Sequence, residues 1–238
     1  MGSSPTTLTL GLGAGLLCCL YAVLAAHELG ARTRVSWGWW LGGLLPVAGA
    51  TAYLVTRRPA TVSFAGDARA PWVAAGLVAF GLGVWAVAGW AGRVPKRAAA
   101  LLAMGLVAVA ALTWIPVQGA PRWSTPDGAR WVECFTARYR WDVYSTFGSD
   151  FDALPNLALY VPLGAALIWA WRRWRGLAPL GAMALSFATE SYQALVTDRE
   201  CAASDMLVNL DGALLGMVMV VALEVGLPPR RHRSQRQR

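Results

Sequence analysis

Seven stretches of roughly 20 mostly apolar residues run through this chain, and few folds can accommodate them. A bilayer core about 30 Å thick is crossed by about 20 residues of α-helix rising 1.5 Å each. The stretches are approximately Leu8–Leu29, Trp37–Thr56, Pro71–Ala91, Ala98–Gln118, Leu154–Trp171, Leu177–Val196 and Met206–Leu227. None has the strict alternation of a membrane barrel strand, and several carry the glycines that membrane helices tolerate. Only 14% of the residues are charged, against about 25% in an ordinary soluble domain. The expectation is an all-α, polytopic membrane protein with about seven transmembrane helices. The first stretch lacks a basic leader and a clear small-residue cleavage site, so it reads as a retained helix. "MGSSPT" fits an N-myristoylation pattern, which is short enough to match often by chance.

A net charge of +8 can signal nucleic acid, but here Arg clusters at the ends of apolar stretches. Short loops rich in Lys and Arg stay in the cytoplasm. Seven spans put the first, third and fifth loops on the same side as the C-terminus. That side holds Arg32, Arg34, Arg93, Lys96, Arg97, Arg172, Arg173, Arg175 and the tail arginines from Arg230 to Arg238, 13 of the 21 basic residues. The predicted topology is therefore N-terminus out and C-terminus in. "WGWW" at Trp37–Trp40 and "WAWRRW" at Trp169–Trp174 fit interfacial aromatic anchors. Glu28, Glu224 and His27 fall near the inner boundary and read as solvated helix ends.

Against this background the stretch from Ser186 to Gly216 is unusually polar. On the sixth span Ser186, Glu190, Gln193 and Thr197 recur every three or four residues and share one helix face. Asp205, Asn209, Gly212 and Gly216 do the same on the seventh. The fifth span opens with Asp152 and Asn156 four residues apart, again at its outer end. Three spans thus offer polar stripes at one membrane depth. Glu190 lies roughly 9 Å inside its helix end, where a lone carboxylate costs about 2.5–3.5 kcal/mol and needs a partner, water or a proton. Arg199 is the nearest cation in sequence, with Gln193 and Asn209 as hydrogen-bonding neighbours.

A plainer reading treats these side chains as interhelical glue, each worth about 0.6 kcal/mol. Gln193 and Asn156 divide evenly between glue and function, whereas Glu190, Arg199 and Asp205 favour function, the default for ionisable groups inside a membrane. Gly212 and Gly216 form a small-xxx-small pair, which points to close helix packing. Asp211 sits about 120° off the seventh-span stripe by the 3.6-residue period.

At these residues the chain resembles the VanZ-like family of bacterial membrane proteins. The resemblance rests on Asn156, Pro162 and Gly164 in "NLALYVPLG", Glu190 and Gln193 in "ESYQ", and Arg199, Asp205, Asn209, Gly212 and Gly216 in "RECAASDMLVNLDGALLG". It covers roughly the fourth to seventh spans. It departs from the family pattern at Cys201–Ser204, where a further Asp is common. The resemblance implies a cell-envelope role and a site, with a family link to glycopeptide (teicoplanin) resistance. Pro162 and Gly164 are assigned, like Gly212 and Gly216, to helix packing.

Cys18 and Cys19 read as small buried hydrophobes in the first span. Cys134 and Cys201 fall in outer loops, an oxidising setting, and a disulfide between them would tie the long fourth loop over the polar stripes. No phosphate-binding loop, dinucleotide fingerprint, Ser-His-Asp set or zinc spacing is present in the sequence, so no cofactor, metal or nucleic-acid partner is expected. With no histidine on the outer side, acid–base work there would fall to Glu190 or Asp205. "RYRWDVY" at Arg138–Tyr144 suits an amphipathic segment at the membrane surface.

The chain divides by sequence into residues 1–97, three spans of unassigned role; 98–227, the family-like membrane domain with its extracytoplasmic loop 119–153; and 228–238, a basic cytoplasmic tail. The leading expectation is a bacterial cell-membrane protein with an outward-facing polar pocket. It would bind or modify a membrane lipid or lipid-linked envelope component, with Glu190 and Asp205 as acid or base. Arg199, Asn156, Gln193, Asn209 and Asp152 would bind the substrate. The alternatives are a structural or partner-binding membrane protein, or an ion-coupled transporter, for which no inverted repeat is visible.

Overall fold

Helix boundaries fall where the apolar runs give way to Pro, Trp and Arg. The computed structural model describes residues 5–33, 35–57, 70–90, 94–114, 128–137, 153–196 and 201–227. Those residues form eight α-helices and no strand: α1 Pro5–Arg32, α2 Trp37–Arg57, α3 Ala70–Trp90, α4 Lys96–Val109, α5 Gly128–Thr136, α6 Ala153–Ala170, α7 Ala178–Val196 and α8 Ala203–Gly226. α1 opens on Pro5 and α4 follows Pro95, positions where a missing N–H costs nothing because the first turn has no intrahelical partner for it. α4 continues into a π turn over Ala110–Trp114. A 3₁₀ turn, Arg172–Leu177, kinked at Trp174, joins α6 to α7.

Each of the seven apolar stretches lies mainly on a helix, though residue 91 of the third and residues 115–118 of the fourth are outside the described set. Among the described residues, two segments, Gly15–Arg32 and Ala203–Gly226, are long and apolar enough to cross a membrane by length and composition. The fourth loop, read from sequence as a long extracytoplasmic loop, contains α5. Its Arg130 and Glu133 lower the mean apolarity of the segment, so a search for long hydrophobic runs passes over it.

The chain groups into two compact units, residues Met1–Arg57 with Val218–Arg238, and Arg58–Met217. In the first unit, α1 and α2 form a hairpin with an alanine-rich interface of Ala22, Ala25, Ala26 and Ala48. Small residues let helices approach closely. The turn is held by the Thr33 hydroxyl donating to Leu29 O at 2.8 Å and by Trp40 Nε1 donating to Thr33 Oγ1 at 3.1 Å. His27 stacks on Trp37 at 5.6 Å between ring centroids. Glu28 departs from the expectation of a solvated end, because it is buried. Its carboxylate accepts from Arg32, whose Nη1 also donates to Glu224 at 3.0 Å. A guanidinium has enough donors to serve two carboxylates at once.

In the second unit the decisive contacts join α6 and α8. A Cβ added to Gly212 would lie 2.2 Å from Leu157 O, and one on Gly216 would lie 2.0 Å from Val161 O. Both positions therefore exclude any side chain. The pairs rise in number together, so α6 and α8 run parallel. A Cβ added to Gly164 would lie equally close to Ala213 O, at 2.0 Å. Leu163 of α6 packs beside Gly105 of α4, where an added Cβ would lie 3.3 Å from Leu163 Cδ1.

Candidate functional site

The polar stripe on α7 is buried. Glu190 is 1% exposed, Ser186 and Thr189 are fully enclosed, and Gln193 is 5% exposed. Spacings of four and three put Ser186, Glu190 and Gln193 on one helix face, and Ser186, Thr189 and Gln193 each hydrogen-bond to a neighbouring element. The Ser186 hydroxyl donates to Met206 O of α8 at 3.1 Å. Tyr160 of α6, also fully enclosed, donates from its hydroxyl to Thr189 Oγ1 at 3.3 Å. Ser186 and Glu190 are further polar neighbours of that hydroxyl. Gln193 Nε2 donates to Thr113 O, in the π turn after α4, at 3.0 Å. α4, α6 and α8 thus all present polar atoms to one face of α7.

On α8, Asn209 is 2% exposed and Asp205 is half-buried in the first turn. Asn209 stands three residues after Met206, which receives Ser186, and three before Gly212, which rests on Leu157. Helical spacing therefore puts Asn209 between the α7-facing and α6-facing sides of α8. Its Oδ1 is buried and accepts no hydrogen bond among the described residues. Asn156 is half-buried on α6, one turn before Tyr160. Asp211 is exposed and stands apart from the cluster.

α5 flanks the same end of α7. Trp131 Nε1 donates to Ser191 Oγ at 3.0 Å, and Phe135 meets Phe187 at 5.0 Å between centroids. Cys134 and Cys201 are joined by a disulfide with Cα atoms 5.7 Å apart, packed with Ala194 in a buried patch. The bridge fastens α5 to the residues that lead into α8.

The structure therefore brings Glu190 and Asn209 into the region where α6, α7 and α8 meet, with Asp205 and Asn156 one turn away from Asn209 and Tyr160 along their own helices, and ties Gln193 to the turn after α4. Pro162 and Gly164 lie on α6, and Gly212 and Gly216 on α8. Arg199 and Asp152, as well as Thr197, lie outside the described residues, as does the basic tail from Arg230. Tyr160, Thr189 and Thr113 join the polar set without having been singled out by sequence. Tyr160 continues the Asn156 spacing by four, and Thr189 follows Ser186 by three. Both were legible as stripe members, but a lone hydroxyl in an apolar run gives a weak signal.

Chemically, the site offers one buried carboxyl, one unsatisfied amide oxygen and a set of hydroxyls. It can move a proton or orient a polar group. Among the described residues there is no cluster of three or more His, Cys, Asp or Glu able to hold a metal ion. The model of the VanZ/LLP1 family matches residues 100–224. No curated protein and no solved structure matches the chain.

Proposed function

Since the chain belongs to the VanZ/LLP1 family, we propose that it is a multi-pass bacterial membrane protein whose buried polar cluster binds or modifies a lipid-linked component of the cell envelope. Seven spans, the N-terminus outside and the C-terminus inside, agree with the distribution of basic residues. Large apolar side chains support a lipid setting. Trp39 is 80% exposed, Leu16 72% and Val87 68%, and apolar surface on that scale is rarely left facing water.

The observation that carries the proposal is the burial of Glu190 at 1% exposure among polar side chains drawn from neighbouring helices. A carboxyl in that position is costly, and in membrane proteins such groups mark working sites. Glu190 is the acid or base and Asp205 its companion at the mouth. Arg199, two residues before Cys201 in sequence, supplies the cation for an anionic group, and Asn156 and Asp152 are further polar groups for the substrate. The Cys134–Cys201 bridge supports an extracytoplasmic position for this end, since disulfides persist in oxidising compartments. Resistance to a glycopeptide such as teicoplanin belongs to the same proposal, as one phenotype that altered envelope chemistry would produce.

A structural role is the second reading. It is favoured by Gln193, whose amide is committed to Thr113 O and therefore acts as interhelical glue. Transport finds less support, because Asp211, the residue that would extend a polar path inward, is exposed and outside the cluster. Glu190→Gln and Arg199→Ala, made in the native host, should abolish an envelope or drug-susceptibility phenotype at unchanged protein level. Wild-type behaviour of both variants would refute the envelope role, and reduced protein level in both would transfer the case to the structural reading.

A further inference from the structure

Four hydroxyl and amide donors at the cluster are committed to neighbouring atoms, and a buried acceptor on α8 is left over. Ser186 donates to Met206 O, Tyr160 to Thr189 Oγ1, Gln193 to Thr113 O, and Thr113 itself to Val109 O. Asn209 Oδ1, on a residue 2% exposed, receives nothing among the described residues. A buried amide oxygen without a donor costs about 1–3 kcal/mol, so native structures rarely keep one without a use for it. Asn209 lies between the α7-facing Met206 and the α6-facing Gly212, which directs it toward the helix junction that holds Glu190.

The geometry points to a ligand that brings its own hydrogen-bond donor to Asn209 Oδ1. The ligand class is a lipid headgroup carrying hydroxyl or ammonium protons, in place of a bare phosphate or a quaternary amine. The inference rests on the proposed envelope-component site and adds the chemistry that site selects. The hydroxyl or ammonium donates to Asn209 Oδ1. Glu190, on the neighbouring helix, faces the same group and is suited to take its proton or to hold its positive charge.

Lipid pairs of equal charge provide the test. The full chain in nanodiscs would be offered phosphatidylethanolamine against phosphatidylcholine, and phosphatidylglycerol against phosphatidylmethanol, with retained lipid counted by native mass spectrometry. Within each pair only the donor protons differ substantially in hydrogen-bonding capacity. One neutral hydrogen bond predicts a roughly three- to tenfold preference for the donor-bearing member. Preference in the first pair alone identifies an ammonium, in the second alone a hydroxyl; free phosphoethanolamine and glycerol phosphate, added as competitors, separate a lipid from its soluble headgroup.

Asn209→Leu should erase the preference while leaving the thermal midpoint of the lipid-free protein equal or higher, because the substitution removes an unsatisfied acceptor. Equal retention within both pairs overturns the inference. So does a preference that survives Asn209→Leu, or a lowered midpoint in that variant without change in lipid selection, which would mean that Asn209 serves the fold, through an ordered water. The two readings fail separately. Phenotypes for Glu190→Gln and Arg199→Ala without headgroup selection sink only the donor inference, and headgroup selection with silent variants sinks only the envelope role.

Discussion

The side-chain amide of Gln193 donates to the main-chain carbonyl of Thr113 across 3.0 Å, tying α7 to the π turn that ends α4. In a π turn the hydrogen-bond ladder slips by one residue, and such turns often occur at functional sites. Gln193 therefore does two jobs: it satisfies a buried carbonyl and it sets the depth of the helix that carries Glu190. Gln193→Met keeps the volume and removes the donor. The expected loss is about 1–2 kcal/mol, the range for stranding a buried carbonyl, read as a lower thermal midpoint of the purified protein. An unchanged midpoint would show that Thr113 O has a second donor and that Gln193 is free for a ligand.

The Cys134–Cys201 bridge should be the strongest single staple at this end. Sixty-seven residues separate the two cysteines, and the chain-entropy model gives about 4 kcal/mol for a loop of that size. Helical structure that persists in the unfolded state would already restrain the loop, so Cys134→Ser should cost less than that figure, about 2–4 kcal/mol. Both sulfurs are buried, so a dithiol reductant should act slowly until the protein is denatured. The check is a non-reducing gel: the oxidised chain migrates faster than the reduced chain, and Cys134→Ser shows no such difference. Two thiols alkylated without denaturant would contradict the burial of the bridge.

The close approach of α6 and α8 leads to a sharper expectation. A methyl group on Gly212 or Gly216 would press on main-chain oxygens at 2.2 and 2.0 Å, atoms that cannot swing aside as a side chain can. Gly216→Ala and Gly212→Ala should each cost at least about 1–3 kcal/mol, the usual range for overpacking. Gly176→Ala, with nothing within 4 Å of its added Cβ, is the control and should be neutral. Folded yield by size-exclusion chromatography and the thermal midpoint report both. If Gly216→Ala matched the control, the parallel pairing of α6 and α8 would be wrong.

Much of this organisation was legible in the residues, for identifiable reasons. Long apolar runs bounded by Pro, Trp and Arg mark helices because the pattern has to satisfy both length and burial. The Ser186, Glu190, Gln193 stripe was legible because period alone assigns a helix face. α5 was not, because at nine residues its apolar face of Trp131, Cys134 and Phe135 is set among charged neighbours. Tyr160 and Thr113 were missed because a single hydroxyl does not interrupt an apolar run. Glu28 was misread for a different reason. Its i+4 neighbour Arg32 looked like part of a basic inner boundary, and the second carboxylate that draws Arg32 in lies 192 residues along the chain, beyond the reach of any local pattern.

That last contact yields a test of its own. Arg32 serves Glu28, one turn earlier on α1, and Glu224 near the end of α8, with side-chain exposures of 10% for Arg32 and 18% for Glu224. Removing the shared cation strands two carboxylates, whereas removing one carboxylate leaves a working pair. Arg32→Met should therefore be the most damaging of the three single neutralisations, at the lower end of the about 3–5 kcal/mol seen when a buried pair loses a partner. Glu224→Gln and Glu28→Gln should each cost less. Exchanging the charges, Arg32→Glu with Glu224→Arg, moves the cation to α8, where it can still face both Glu28 and the new carboxylate, so the double variant should recover part of the loss. Thermal midpoints of the five variants give the ordering. A double variant no more stable than Arg32→Glu alone would show that packing of the Arg32 stem, and not its charge, holds this corner of the molecule.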